Sequence, residues 1–174
     1  MKLVTITKDN FTYALEIQEE LFPEESGRKN FEESLKKGSA FSYYLLYEDD
    51  ICIGVIGLYE NKDDPDSAWL GWFGVRENYR RKHLGSKALK MFEDMAVSKG
   101  YNFARLYTDE NDNDAAVSFY RNNGYYCEHY VNHDDPISLT YRVLIFSKSL
   151  SGEELILWNN RNIYLTEQIA KQNS

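Results

Sequence analysis

Two strongly β-favouring runs, SYYLLYE (42–48) and ICIGVIGLYE (51–60), are separated only by Asp49 and Asp50. Two residues is hairpin spacing, so the chain is expected to contain antiparallel sheet near its middle. Upstream, Leu3 to Thr7 reads as a short strand. An N-cap at Asp9 or Asn10 then opens a helix carrying Phe11, Leu15, Ile17 and Leu21, which Pro23 breaks. A second, charged helix is expected from about Arg28 to Lys37, stopping at Gly38. Downstream of the hairpin and the loop NKDDPDS comes AWLGWFGV (68–75), where Gly71 and Gly74 mark a bulge or a close backbone approach.

From Leu84 the apolar period becomes helical, through Leu84, Ala88, Met91 and Met95 with Leu89, Phe92 and Ala96 beside them, and Lys99-Gly100 closes about four turns. Phe103 to Thr108 reads as a strand, Ala115 to Asn122 as a short helix, and Tyr125 to Tyr130 and Leu139 to Ser147 as two more strands. The order βααββ then βαβαββ is that of a mixed α/β chain. After Leu150, a segment carrying Leu155, Leu157, Trp158, Ile163 and Leu165 has enough apolar surface to dock on the body or on a second subunit, and a homodimer is one arrangement that would use it.

A chain of 174 residues, 43% hydrophobic and 15% aromatic, has the size of one domain with a real core and is too apolar for disorder. Its formal charge of -8 would repel nucleic acid and anionic membranes at long range, which leaves a cationic partner as the easier match. Cys52 lies in an apolar run and Cys127 is far along the chain, so neither a disulfide framework nor a metal site is indicated and a reducing cytoplasm fits. The N-terminus MKLVTITKDN has no apolar leader, and no window approaches the roughly 18 apolar residues of a membrane span.

Against that acidic background, residues 76–90 hold six cations (Arg76, Arg80, Arg81, Lys82, Lys87, Lys90) and one anion, Glu77. They fall where a strand becomes a helix. A helix start exposes unpaired N–H groups and about half a positive charge, so a strand, a turn and a helix with Gly85 and Ser86 in its first turn make a natural polyphosphate cradle. A loop merely solvated by Arg80, Arg81 and Lys82 is the plainer alternative. No G-x-x-x-x-G-K-[ST] occurs, which removes a nucleotide-hydrolase phosphate loop.

These residues resemble the acetyl-CoA motif of the GNAT superfamily of N-acetyltransferases, Gln/Arg-x-x-Gly-x-Gly/Ala after a strand ending in Val. Here Val75 is followed by Arg80-Arg81-Lys82-His83-Leu84-Gly85, with His83 where the family usually has its first Gly. A second segment, Asn113-x-x-Ala116-x-x-Phe119-Tyr120 with Asn123-Gly124-Tyr125, resembles the family's Asn-x-x-Ala-x-x-Leu-Tyr and Gly-Phe stretch. The resemblance covers residues 3–148, leaving 149–174 as a C-terminal extension. It implies a central, mostly antiparallel twisted sheet of about seven strands flanked by about four helices.

The resemblance also implies acetyl-CoA as co-substrate, no metal, and direct attack of an amine on the thioester. Main-chain groups near Phe73 and Val75 would pair with the pantetheine arm. Backbone N–H groups from Arg81 to Ser86, through His83 and Gly85, would hold the pyrophosphate, with Arg80, Arg81 and Lys82 supplying charge. Tyr120 would give a proton to the departing sulfur, since a phenol with reference pKa near 10 is protonated at neutral pH. Asn113 is either a helix cap or a polar contact to the cofactor. For the base, Glu24, Glu25, Asp109, Glu110 and His129 are all open. Phe22, Glu24 and Glu25, at the break between the first two helices, would border an acceptor pocket suited to a small-molecule amine. A protein acetyltransferase acting on Lys or an N-terminus, and a non-catalytic acyl-CoA-binding module, are the alternatives.

Overall fold

A computed structural model describes residues 1–111, 113–132, 134–140 and 142–160. Its strands are β1 (Lys2–Thr5), β2 (Phe41–Glu48), β3 (Ile51–Glu60), β4 (Ser67–Val75), β5 (Phe103–Asp109), β6 (Tyr126–His129) and β7 (Val143–Ser149). Its helices are α1 (Phe11–Leu21), α2 (Arg28–Ser34), α3 (Leu84–Ser98), α4 (Asp114–Asn122) and α5 (Pro136–Thr140). The expected mixed α/β class with a seven-stranded sheet is therefore what forms. The chain divides into two compact units, one made of residues 1–60 and 69–95, the other of 61–68 and 96 onward.

In the first unit the strands follow the order β1-β2-β3-β4. The two-residue link works as expected: Asp49 and Asp50 have φ of 48° and 63°, the paired left-handed geometry of a type I′ turn, and Glu48 faces Ile51 across it. Leu46 faces Gly54 while Tyr47 faces Cys52, so Ile53 is one residue extra in β3 and bulges the ladder. β3 is buried without interruption from Cys52 to Tyr59, which explains why it reads as a continuous apolar run rather than an alternating one. α1 packs on β3 through Ala14, Leu15 and Ile17, and α2 packs on β2 with Phe31 fully buried.

The close backbone approach anticipated in β4 is real, and its partner is on β3. A Cβ at Gly54 would stand 2.0 Å from the Gly74 carbonyl oxygen, so no side chain fits there. At Gly71 the neighbours are instead the Tyr43 and Tyr59 rings. Between the two glycines, Trp72 has φ of 25°, interrupting the extended geometry.

In the second unit β7 lies between β5 and β6 and is antiparallel to both. The core is built from Phe103 and Leu106 of β5, Val143 to Phe146 of β7, Tyr120, Tyr125 and Trp158. A fully buried Arg105 organises the polar part of this unit. Its Nε donates to Ser67 Oγ (3.0 Å) and lies 3.3 Å from Asp64 Oδ2, while its terminal nitrogens donate to Ser147 Oγ (2.7 Å) and to the Ile156 carbonyl (2.6 Å). The buried Glu128 carboxylate accepts the amides of Trp158 (2.8 Å) and Asn159 (3.0 Å). Residues 156–159 are thus tied to β5 and β6; Ile163 and Leu165 lie outside the described residues.

Several expected boundaries are corrected. β1 ends at Thr5 and α2 at Ser34, well before Gly38, and β6 spans only Tyr126–His129. The start of the strand expected at Leu139 is helical instead, giving five α-helices among the described residues where about four were anticipated. The reason is a helix-start signature: Pro136 occupies the first helical position behind Asp135, whose carboxylate accepts the Ile137 amide (3.3 Å) and the Tyr130 hydroxyl (2.7 Å). Among the described residues no helix is long and apolar enough to cross a membrane, and no group of His, Cys, Asp and Glu could hold a metal ion.

Candidate active site

The first unit carries the cationic turn. After Val75 a short 3-10 turn (Glu77–Tyr79) leads into Arg80, and Arg80 Nε donates to the Val75 carbonyl (2.8 Å), tying the loop back to the end of β4. Arg81 and His83 have φ of 58° and 57°, so the chain makes two left-handed steps before α3 begins at Leu84. That is the position where the family places its first Gly, and the backbone explains why: positive φ costs Gly nothing and His roughly 1 kcal/mol. The amides of Leu84, Gly85 and Ser86 head α3 and have no acceptor four residues back in the helix, so they are available to an anion.

The surrounding charges sort themselves. Arg76 pairs with Glu20 (2.9 Å) and also donates to the Cys52 carbonyl (3.3 Å), Lys87 pairs with Glu48 (3.1 Å) and Lys90 with Asp94 (2.6 Å). Three of the six cations counted in the sequence are thus neutralised by carboxylates outside or at the end of the segment. Arg80, Arg81 and Lys82 have no carboxylate within ion-pair distance among the described residues, and Lys82 lies 5.4 Å over the Tyr79 ring. The three consecutive cations are the ones left to address a ligand.

Of the β4 residues, Phe73 is half-buried and Val75 buried. The turn between α1 and α2 is held by Gln18, a fully buried amide that donates to the Glu25 carbonyl (3.2 Å) and accepts the Gly27 amide (2.9 Å). Phe22 is brought against β4, edge-on to Trp72 with ring centroids 5.1 Å apart, and Trp72 in turn donates to Asn30 Oδ1 (2.9 Å). Glu24 and Glu25 are exposed on the turn. Asn30 and Trp72 carry no local signal in the sequence, because they meet across 42 positions, and the Gln18 amide gives none because its partners are main-chain groups of the following turn. Cys52 is a buried free thiol whose pKa burial pushes up, so it stays protonated and unreactive.

The second unit carries the candidate acid. Tyr120 is buried on α4 among Phe146 (5.3 Å between centroids), Phe119 (5.2 Å) and Tyr125 (5.9 Å). Burial drives its phenol pKa far up, so the hydroxyl keeps its proton throughout the physiological range. Asn113 occupies the N-cap position of α4 but its side chain does not cap; Nδ2 donates to the Asp109 carbonyl (2.8 Å) and towards Thr108 Oγ1 (3.4 Å), bracing the link from β5 to α4. Of the acids and bases left open by the sequence, Glu110 and His129 meet: Glu110 Oε1 is 3.2 Å from His129 Nε2, and Glu110 Oε2 is 2.6 Å from Arg142 Nε. Asp109 lies at the end of β5.

Residues 8–125 match the acetyltransferase (GNAT) family. The chain belongs to that family. A Xenopus tropicalis protein named "Probable N-acetyltransferase 14" is 38% identical over 78 residues, which are 45% of this chain and 36% of that protein, so the match spans about a third of the relative's length. Among solved structures, a GNAT-family protein of Desulfovibrio desulfuricans superposes with a TM-score of 0.71 at 15% identity, covering 86% of this chain and 98% of the other. PaiA N-acetyltransferase from Thermoplasma acidophilum, solved with coenzyme A, gives 0.64 at 18% identity over 86% and 99%. At these identities the structures attest the GNAT fold.

The two left-handed residues make a direct test of this chain's departure from the family motif. His83→Gly relieves about 1 kcal/mol of backbone strain and loses a similar amount to the freer unfolded chain, so stability should change little and acetyl-CoA affinity should stay within a few-fold. His83→Val, β-branched at φ near 57°, should instead cost roughly 1–2 kcal/mol and lower the melting temperature by several degrees. Thermal melts and calorimetry of the two variants check this; a collapse of affinity in His83→Gly would make the imidazole itself a ligand.

Proposed function

We propose that this protein is an acetyl-CoA-dependent N-acetyltransferase that acylates a primary amine of a small cationic molecule. The observation that carries the reading is the Arg80 to Ser86 turn: two left-handed residues, first-turn amides of α3 with no acceptor four residues back in the helix, and three cations without carboxylate partners among the described residues, inside a chain of net charge -8 that belongs to the GNAT acetyltransferase family. Backbone donors from Arg81 to Ser86 would hold the pyrophosphate, and Arg81 and Lys82 would supply charge. Arg80, tied to Val75, would position the loop as well as contribute charge. Tyr120, kept neutral by burial, would protonate the leaving sulfur. Phe22 beside Trp72, with Glu24 and Glu25 exposed near it in sequence, supports an acceptor that is both cationic and partly apolar.

Two measurements test the reading. Calorimetry on Arg81→Glu plus Lys82→Glu should show acetyl-CoA affinity falling at least about tenfold, equivalent to 1.4 kcal/mol, with the fold intact; unchanged affinity would place the cofactor elsewhere. CoA release from acetyl-CoA is then followed with spermidine, kanamycin, L-lysine amide and an Ala-initiated peptide. Turnover confined to the peptide would move the acceptor from small molecules to protein N-termini, and turnover with none would remove the transferase reading.

A further inference from the structure

An amine presented as ammonium cannot attack a thioester until it loses a proton, and the second unit holds a group arranged to take it. In the antiparallel ladders Leu106, Phe146 and Cys127 form one cross-strand row, so their side chains share a face of the sheet. Tyr120 lies on that face, over Phe146. Two residues along each strand, about 7 Å, the next row on the same face is Thr108, Leu144 and His129. Asn113 reaches this row through Thr108. One step further along the same face is Glu110: its amide donates to the Arg142 carbonyl (2.8 Å), and its carboxylate oxygens lie 2.6 Å from Arg142 Nε (Oε2) and 3.2 Å from His129 Nε2 (Oε1).

We propose that His129, oriented by Glu110, is the proton acceptor for the incoming ammonium in the transfer described above, and the inference rests on that reading. Glu110 is anchored as a carboxylate by Arg142, so Oε1 is an acceptor and fixes the imidazole proton on Nε2. Nδ1 then carries the free lone pair. It takes one proton from the ammonium, and the imidazolium so formed is stabilised by Glu110 at 3.2 Å, the base-and-orienter arrangement in which a third group sets the tautomer. The neutral amine forms its bond to the acyl carbon as the carbon–sulfur bond breaks. Tyr120 gives its proton to the sulfur and regains one from the nitrogen, leaving amide, thiol and one extra proton on His129. The ring is more than half exposed, 55%, so that proton passes to solvent. Glu110 and Arg142 act through His129 and are positioning residues.

The test has one arm that needs no turnover. Long-range nitrogen NMR of the free protein should show the His129 ring as the Nε2–H tautomer, reverting towards a free-histidine mixture in Glu110→Gln; a ring protonated on Nδ1 would overturn the assignment. The second arm uses the fastest amine of the acceptor panel beside hydroxylamine, which is largely unprotonated at neutral pH. In His129→Ala the ratio of amine to hydroxylamine turnover should fall roughly 10²-fold, within the range for general bases, with added imidazole restoring part of it and calorimetric acetyl-CoA affinity unchanged. An unchanged ratio, or a loss that imidazole does not rescue, overturns the base assignment while leaving the transferase reading intact. A wild type that releases CoA with none of the acceptors overturns both.

Discussion

Asp64→Ala should lower the melting temperature by roughly 10 °C or more, because it removes the counter-ion of a guanidinium that has no access to water. Asp64 and Arg105 are both fully buried, with Oδ2 and Nε 3.3 Å apart. Breaking one side of such a pair costs on the order of 3–5 kcal/mol, since the remaining charge is stranded in a low-dielectric interior. Arg105 also holds Ser67, Ser147 and the Ile156 carbonyl, so the same substitution should loosen residues 156–159 and expose Trp158, now 1% accessible. Thermal melts with tryptophan fluorescence check both effects. Asp66→Ala, an exposed neighbour whose carbonyl and not its carboxylate bonds Asn102 and Phe103, is the control and should stay within about 0.5 kcal/mol. A wild-type melting temperature in Asp64→Ala would mean that the two hydroxyls and the carbonyl alone suffice for the charge.

The second large effect is on chemistry. Tyr120→Phe keeps the ring among Phe119, Tyr125 and Phe146 and removes only the hydroxyl, so folding and acetyl-CoA binding should survive while kcat falls roughly 10²-fold or more. The loss should sit in kcat rather than in KM, as expected for a proton delivered in the transition state. A purely packing role predicts the reverse order: normal turnover in the Phe variant, and a lowered melting temperature only in Tyr120→Ala. Steady-state kinetics with the fastest panel acceptor separate the two, and wild-type kcat in a well-folded Tyr120→Phe protein would sink the general-acid assignment.

What the sequence by itself determined was whatever depends on neighbours in the chain. The β2–β3 hairpin was legible because a two-residue Asp49-Asp50 link admits few geometries, and α3 because its apolar stripe repeats with the helical period and ends at Gly100, where φ is 89°. The cationic turn was legible for the same reason, being a contiguous string of residues at a strand-to-helix junction. The strand expected from Leu139 overlaps the end of α5, although a helix-start signal, Asp135-Pro136, stands just upstream in the sequence.

Only the tertiary structure decided which charges are available and which acids and bases meet. Six cations looked equivalent in the sequence; Glu20, Glu48 and Asp94 neutralise three of them, and the Glu20 and Glu48 pairings span 56 and 39 positions. Glu110, His129 and Arg142 are scattered over 32 residues, yet the β5–β7–β6 ladders bring them together. Asp64 lies in the loop NKDDPDS and Arg105 in the strand from Phe103, and nothing local in the sequence pairs them. The physical reason is common to all three cases: Coulomb and hydrogen-bond energies fall within a few ångströms, so they are set by which strands pair and in what register, and that is a property of the sheet rather than of any short stretch of sequence.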